Sequence, residues 1–123
     1  MGYDIHITRS PNGWADNSGH EIAAEEWLAV IENDPELRLA GYNGSHFALW
    51  SGSSKHEDPW FDWSRGNVST KSPDPAMVAK AISVAQRLDA HVEGDDGERY
   101  LPDGKVERDG KIDERPGMDW RTW

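Results

Sequence analysis

The residues with the clearest chemical potential near the start of the chain are Asp4 and His6. Apolar and polar residues alternate from position 3 to position 8, a pattern typical of a strand with one polar face. Asp4 and His6 therefore share that face. A carboxylate beside an imidazole can orient a general base or supply two metal ligands. The alternative is a hydrogen-bonded surface pair. A metal site would need a third ligand such as His46 or His91, and nothing in the sequence places either one beside Asp4 and His6.

A second stretch with unusual chemistry is DPWFDW, from Asp58 to Trp63. Alternation along a strand puts Trp60 and Asp62 on one face and Phe61 and Trp63 on the other. Tryptophan is enriched at binding hot spots, and neighbouring carboxylates favour a basic partner. We therefore predict a partner-binding site at Asp58, Trp60, Asp62 and Trp63. The alternatives are that one pair is core and the other is covered by the C-terminal segment, or that the rings stack on a carbohydrate.

No motif in the chain identifies a catalytic residue or a cofactor. The glycines lack the spacings that bind phosphate groups, and no HExxH or nucleophile-elbow pattern is present. The acidic turn at 94–98 has only a superficial likeness to a calcium loop, because it lacks the alternating ligands over twelve residues. The absence of cysteine excludes disulfides, thiolate zinc sites and a cysteine nucleophile. We predict no metal and no cofactor, and a binding protein rather than an enzyme.

The charge of the chain limits the classes of partner. The 123 residues include 23 acidic and 13 basic side chains, for a formal net charge of -10. Nucleic-acid binding requires clusters of Lys and Arg, so we expect no nucleic-acid partner. An acidic surface suits a protein with a basic surface, although it also serves solubility alone. Without a long apolar run or a signal peptide we expect no membrane association and a cytoplasmic location, with secretion by another route as the alternative.

The pattern of the elements predicts an α+β fold. Apolar residues recur at helical spacing within 22–33 and again within 75–88, where Asp74 and Pro75 form a helix start signal. Short alternating segments separated by turn residues fill the middle of the chain. We expect a mostly antiparallel sheet of about five to six strands with two amphipathic helices on one face. Residues 1–102 are predicted as one domain, and 103–123 as a C-terminal extension that forms either an edge hairpin or a partly ordered tail.

Four sequence blocks resemble a recurrent family of small bacterial proteins of uncharacterised function. The blocks are YDIHITR, EEWLAVI followed by DPEL, PWFDW, and PD…AKAISVAQRLDAHVEGDDGERY, and they span most of residues 3–101. Similar small acidic proteins are often encoded beside polymorphic toxins, where they serve as immunity proteins. The resemblance implies a protein-binding role, and it transfers no catalytic residue.

These observations leave three functional hypotheses. The first is an acidic protein-binding module, with a toxin-neutralising immunity protein that acts by occlusion as its specific form. The alternative is a small-ligand or metal-dependent enzyme that uses Asp4 and His6. The third is a homo-oligomer in which the aromatic strand and the C-terminal extension pack against a second copy.

Overall fold

The computed structural model describes residues 3–122, so Met1, Gly2 and Trp123 lie outside the described part of the chain. Its elements are two α-helices, two 3-10 turns and short strands. In chain order they are β1 (Asp4–Thr8), α1 (Ala24–Glu32), β2 (Leu37–Leu39), a 3-10 turn (Gly41–Asn43), β3 (Phe47–Trp50), β4 (Trp60–Ser64), β5 (Asn67–Lys71), α2 (Pro75–Arg87), β6 (His91–Gly94), β7 (Arg99–Tyr100), β8 (Val106–Arg108), β9 (Lys111–Asp113) and a second 3-10 turn (Trp120–Thr122).

The strands form a single antiparallel sheet in the order β2-β3-β4-β5-β1-β6-β7-β8-β9. The first strand lies at the centre, between β5 and β6. Successive hairpins join β2, β3, β4 and β5 on one side of β1, and β6, β7, β8 and β9 on the other. Both edges of the sheet are therefore short strands, β2 and β9. The α+β class and the antiparallel sheet agree with the prediction from the sequence.

The number of strands does not agree with that prediction. The sheet has nine strands rather than five or six among the described residues. Four of them, β2, β7, β8 and β9, contain only two or three residues. A strand this short shows hardly one period of alternation, so its hydrophobic pattern cannot be distinguished from that of a turn.

The second helix begins as its sequence predicts. The Asp74 carboxylate accepts a hydrogen bond from the Met77 N–H at 2.9 Å, and Pro75 occupies the first helical turn. The first helix begins at Ala24, and the Glu26 carboxylate accepts the Ala23 N–H at 3.1 Å. Within residues 3–122, neither helix has the length and apolar composition that crossing a membrane requires.

Both helices pack on the same face of the sheet. Cross-strand pairing places Ile5, Ile7, Val68 and Val92 on that face, and all of them belong to the core cluster. Helix α2 contacts β1 and β6, whereas α1 lies over β2. We call the opposite surface of the sheet the outer face.

The segment after Pro102 continues the same sheet. Strand β8 pairs with β7, and β9 pairs with β8. The Trp120 side chain is only 4% exposed, and its indole N–H donates to the Leu101 carbonyl at 2.7 Å. Residues 103–122 therefore contribute both strands and core to the domain, while Trp123 is outside the described part.

Candidate functional site

The outer face carries the residues that the sequence singles out, and it divides into two parts. The loop before α1 crosses the central strands and covers the first part, around His6. The second part, over β3 and β4, is an open groove. We call it the aromatic–acidic groove, and it is lined by Tyr42, Asn43, Phe47, Leu49, Asp58, Trp60 and Asp62.

The register of β3 and β4 assembles the floor of this groove. Phe47 pairs with Asp62, and Leu49 pairs with Trp60, so all of these side chains lie on the outer face. The Phe47 and Trp60 rings stack with their centroids 5.2 Å apart and an angle of 28° between their planes. The result is a pair of stacked aromatic rings with a carboxylate directly beside it.

The rim of the groove comes from the 3-10 turn before β3 and from the loop before β4. The Tyr42 side chain is 79% exposed, and Asn43 is also exposed. Asp58 is exposed on the other loop. The volume between these walls is about 600 Å³, which is large enough for one or two side chains of a partner.

The two carboxylates of the groove have no Lys or Arg partner within the described part of the chain. Neither Asp58 nor Asp62 lies within 4.0 Å of a Lys or Arg nitrogen in the described chain. Burial raises the pKa of Asp62, and the nearby His46 opposes this effect only in part. A partly desolvated carboxylate without a counter-ion is a favourable place for a cation from outside.

The Trp60 ring stacks on Phe47, but its indole N–H is unused within residues 3–122. Among residues 3–122, four tryptophan side chains donate their N–H within the fold: Trp27, Trp50, Trp63 and Trp120. The indole N–H of Trp60 has no acceptor in that part of the chain. A tryptophan at the surface with an unused donor is suited to contact with a ligand or partner.

Trp63 does not share this groove. It points to the helix face, where its indole N–H donates to the Ile22 carbonyl at 2.8 Å and its ring lies against the core. Of the predicted site residues, the structure brings Asp58, Trp60 and Asp62 together and separates Trp63 from them. Sequence reasoning missed Tyr42 and Phe47, although an aromatic residue within the turn sequence GYNG was an available signal.

His6 shares the outer face with Asp4, but its hydrogen bonds go elsewhere. Its Nδ1 lies 2.8 Å from the Ser69 hydroxyl, and its Nε2 lies 2.9 Å from Asp95 Oδ1. The Asp4 backbone N–H also donates to Asp95, at 3.0 Å. Because both ring nitrogens are engaged by neighbours, His6 has no nitrogen available for a metal. No group of three or more metal-binding side chains occurs among residues 3–122.

The covering loop closes over His6 with Trp14. The two rings are stacked with centroids 3.8 Å apart and planes within 10°. The backbone N–H of Trp14 donates to the Glu93 carboxylate, and the Trp14 carbonyl accepts from the Asn67 side-chain amide at 2.8 Å. His6 is only 5% exposed as a result. The arrangement holds the loop to the sheet and leaves the imidazole without access to a substrate.

The carboxylates of the acidic turn after β6 diverge instead of converging on one ion. Asp95 turns to His6 on the outer face. Glu98 lies on the helix face, 4% exposed, where it accepts hydrogen bonds from Tyr3 and from Tyr100, the latter at 2.9 Å. Burial and the Glu98 carboxylate raise the pKa of Tyr3 to about 12. Gly94 permits this packing, since a Cβ there would lie 2.5 Å from the Tyr3 hydroxyl.

Comparisons of the chain with protein-family models, with curated proteins and with solved structures find no match.

Proposed function

We propose that this chain is a small acidic protein-binding module that engages a basic surface of another protein through the aromatic–acidic groove. The specific form that we propose is a toxin-neutralising immunity protein, which inhibits its partner by occluding a basic cleft. Its sequence blocks resemble a family of small uncharacterised bacterial proteins, and similar small acidic proteins are often encoded beside toxins as immunity proteins, which supports this form.

The observation that carries the proposal is the combination found in the groove. Aromatic rings, exposed at Tyr42 and half-buried at Phe47 and Trp60, lie beside two carboxylates that have no Lys or Arg partner in the described chain. The Trp60 indole N–H has no acceptor among residues 3–122. Asp34, by contrast, contacts both Lys80 and Arg87. The groove combines aromatic side chains at the surface with carboxylates that no Lys or Arg of the described chain neutralises.

The energetics of protein interfaces favour this type of site. Tryptophan, tyrosine and arginine dominate binding hot spots, and replacing one of them by alanine costs at least about 2 kcal/mol. The net charge of -10 adds long-range attraction for a basic partner, which raises the association rate at low ionic strength. In occlusion, the carboxylates meet the basic cleft and the rings anchor the contact.

The experiment is a comparative capture from the native host, followed by mass spectrometry and purification of the partner. The tagged wild type is compared with Trp60→Ala, Asp62→Asn and a matched control, Asp109→Asn. Asp109 is exposed in the β8–β9 turn with a φ of 51°, which asparagine adopts readily, so the control makes the same charge change far from the groove.

We expect a basic protein that the wild type and Asp109→Asn retain at low salt, and that both groove variants lose. The purified partner must then bind the purified wild-type chain directly. A partner retained equally by all variants would refute the groove as the binding site. Failure to recover any groove-dependent basic protein from a host that expresses the chain would refute the proposed function.

A further inference from the structure

We propose that the aromatic–acidic groove takes the guanidinium group of an arginine, so that the basic partner is anchored there by arginine and not by lysine. This inference rests on the proposed function, because it names the chemistry by which the same groove recognises its partner. It concerns one side chain of that partner.

The aromatic floor is the first argument. The rings of Phe47 and Trp60 stack on each other and line the groove on the outer face. A cation over the face of tryptophan is attracted by the negative face of the ring. Guanidinium is planar and weakly hydrated, so it stacks on such a surface, whereas a lysine ammonium is compact and keeps its water.

The placement of the carboxylates is the second argument. Asp62 adjoins the aromatic floor through its pairing with Phe47, and Asp58 lies across the groove on the preceding loop. Guanidinium presents five N–H donors in one plane, so it can lie on the rings and donate two parallel hydrogen bonds to a carboxylate at its edge. A single ammonium cannot meet both requirements at once.

The electrostatic state of the groove is the third argument. Both carboxylates lack a Lys or Arg partner in the described chain, and Asp62 is partly shielded from water. Charge-assisted hydrogen bonds to a shielded carboxylate are stronger than those to an exposed one. The volume of about 600 Å³ also accommodates the long arginine side chain with its apolar stem against Tyr42 and Leu49.

The test uses three small probes that share the same blocked backbone and differ in their side chains. They are the N-acetyl, N-methylamide derivatives of arginine, lysine and citrulline, the last being a neutral analogue with nearly the shape of arginine. Binding is followed by the indole N–H signal of Trp60 in nitrogen-15 NMR spectra, assigned by its loss in Trp60→Phe. The signals of Trp27 and Trp63, whose indoles are hydrogen-bonded inside the fold, serve as internal controls.

We expect the arginine probe to shift the Trp60 signal in a saturable manner, with about tenfold weaker binding for lysine and for citrulline. Asp62→Asn should lower the affinity for the arginine probe by a similar factor, whereas Asp109→Asn should leave that affinity unchanged.

Two outcomes would overturn the inference. If the lysine probe binds the groove as tightly as the arginine probe, arginine specificity is wrong while the proposed function stands. If no probe shifts Trp60 although the partner requires the groove, recognition of an isolated guanidinium is wrong. The comparative capture tests the proposed function separately, because it measures whether partner binding requires the groove, whichever cation the partner presents.

Discussion

Two aspartates show how this fold treats negative charge at the residue scale. Although burial raises the pKa of Asp34, its contacts with Lys80 and Arg87 lower that pKa to about 2. Asp62 has no such contacts, and burial raises its pKa. The first carboxylate is used to hold the structure, and the second remains available to a partner.

Asp34→Asn should destabilise the fold by about 2 kcal/mol, because it leaves the largely buried Lys80 with Glu36 as its one remaining carboxylate in the described chain and removes the carboxylate paired with the more exposed Arg87. The side chain of Asp34 is 6% exposed, and that of Lys80 is 9% exposed. Chemical denaturation at pH 7 measures the change in the free energy of unfolding. Asp119→Asn is the matched control, since it removes a half-exposed carboxylate paired with the exposed Arg121 and should have little effect.

The same variant should alter the pH dependence of stability. The pKa of Asp34 in the folded state lies near 2, below the ordinary value of 3.8. The contribution of Asp34 to the free energy of unfolding is therefore fully present above about pH 4. That contribution is lost as the pH falls towards 2. Asp34→Asn should therefore show a shallower loss of stability over this window than the wild type. Equal slopes for both proteins would contradict the assigned role.

At the residue scale the sequence predicted which side chains share a face of the sheet, but not which residues they form hydrogen bonds with. Alternation correctly placed Asp4 with His6, and Trp60 with Asp62. It gave no means of finding Asp95, which lies 89 positions from His6 and reaches it only through the pairing of β1 with β6. Contacts of this kind depend on the order of strands in the sheet, which a single sequence does not encode locally.

At the scale of elements, local chemistry decides what is predictable. Helix α2 was predicted because Asp74 and Pro75 are a start signal and the apolar spacing runs through three turns. Strands β8 and β9 are three residues long, so the sequence left a hairpin and a frayed tail as alternatives for their segment. They join the sheet by pairing with β7 and with each other, and Trp120 after them packs into the core cluster.

Trp120→Ala should therefore destabilise the whole domain by about 3–5 kcal/mol, because it opens a cavity and removes the hydrogen bond to the Leu101 carbonyl. Thermal and chemical denaturation of the variant measure this change. Thr122→Ala, an exposed change two residues away, serves as the control. If Trp120→Ala had the small effect of the control, the C-terminal segment would not be part of the cooperative unit.

At the scale of the whole molecule, negative charge and short edges oppose self-association. The edge strands β2 and β9 contain three residues each, which leaves little backbone to pair with a second copy. The net charge of -10 adds repulsion between copies at low ionic strength. We expect a monomer of 13.8 kDa in analytical ultracentrifugation at low salt. A dimer under those conditions, lost on replacing Trp60, would favour the homo-oligomer hypothesis.

The most direct test of the account is the affinity of the purified partner for the double variant Trp60→Ala/Asp62→Ala, measured by isothermal titration calorimetry beside the wild type and Asp109→Asn. We expect the double variant to lose at least about 3 kcal/mol of binding free energy, or more than about a hundredfold in affinity, with its thermal unfolding still cooperative. The control should match the wild type. Unchanged affinity in a folded double variant would contradict the account, because the groove would then play no part in binding.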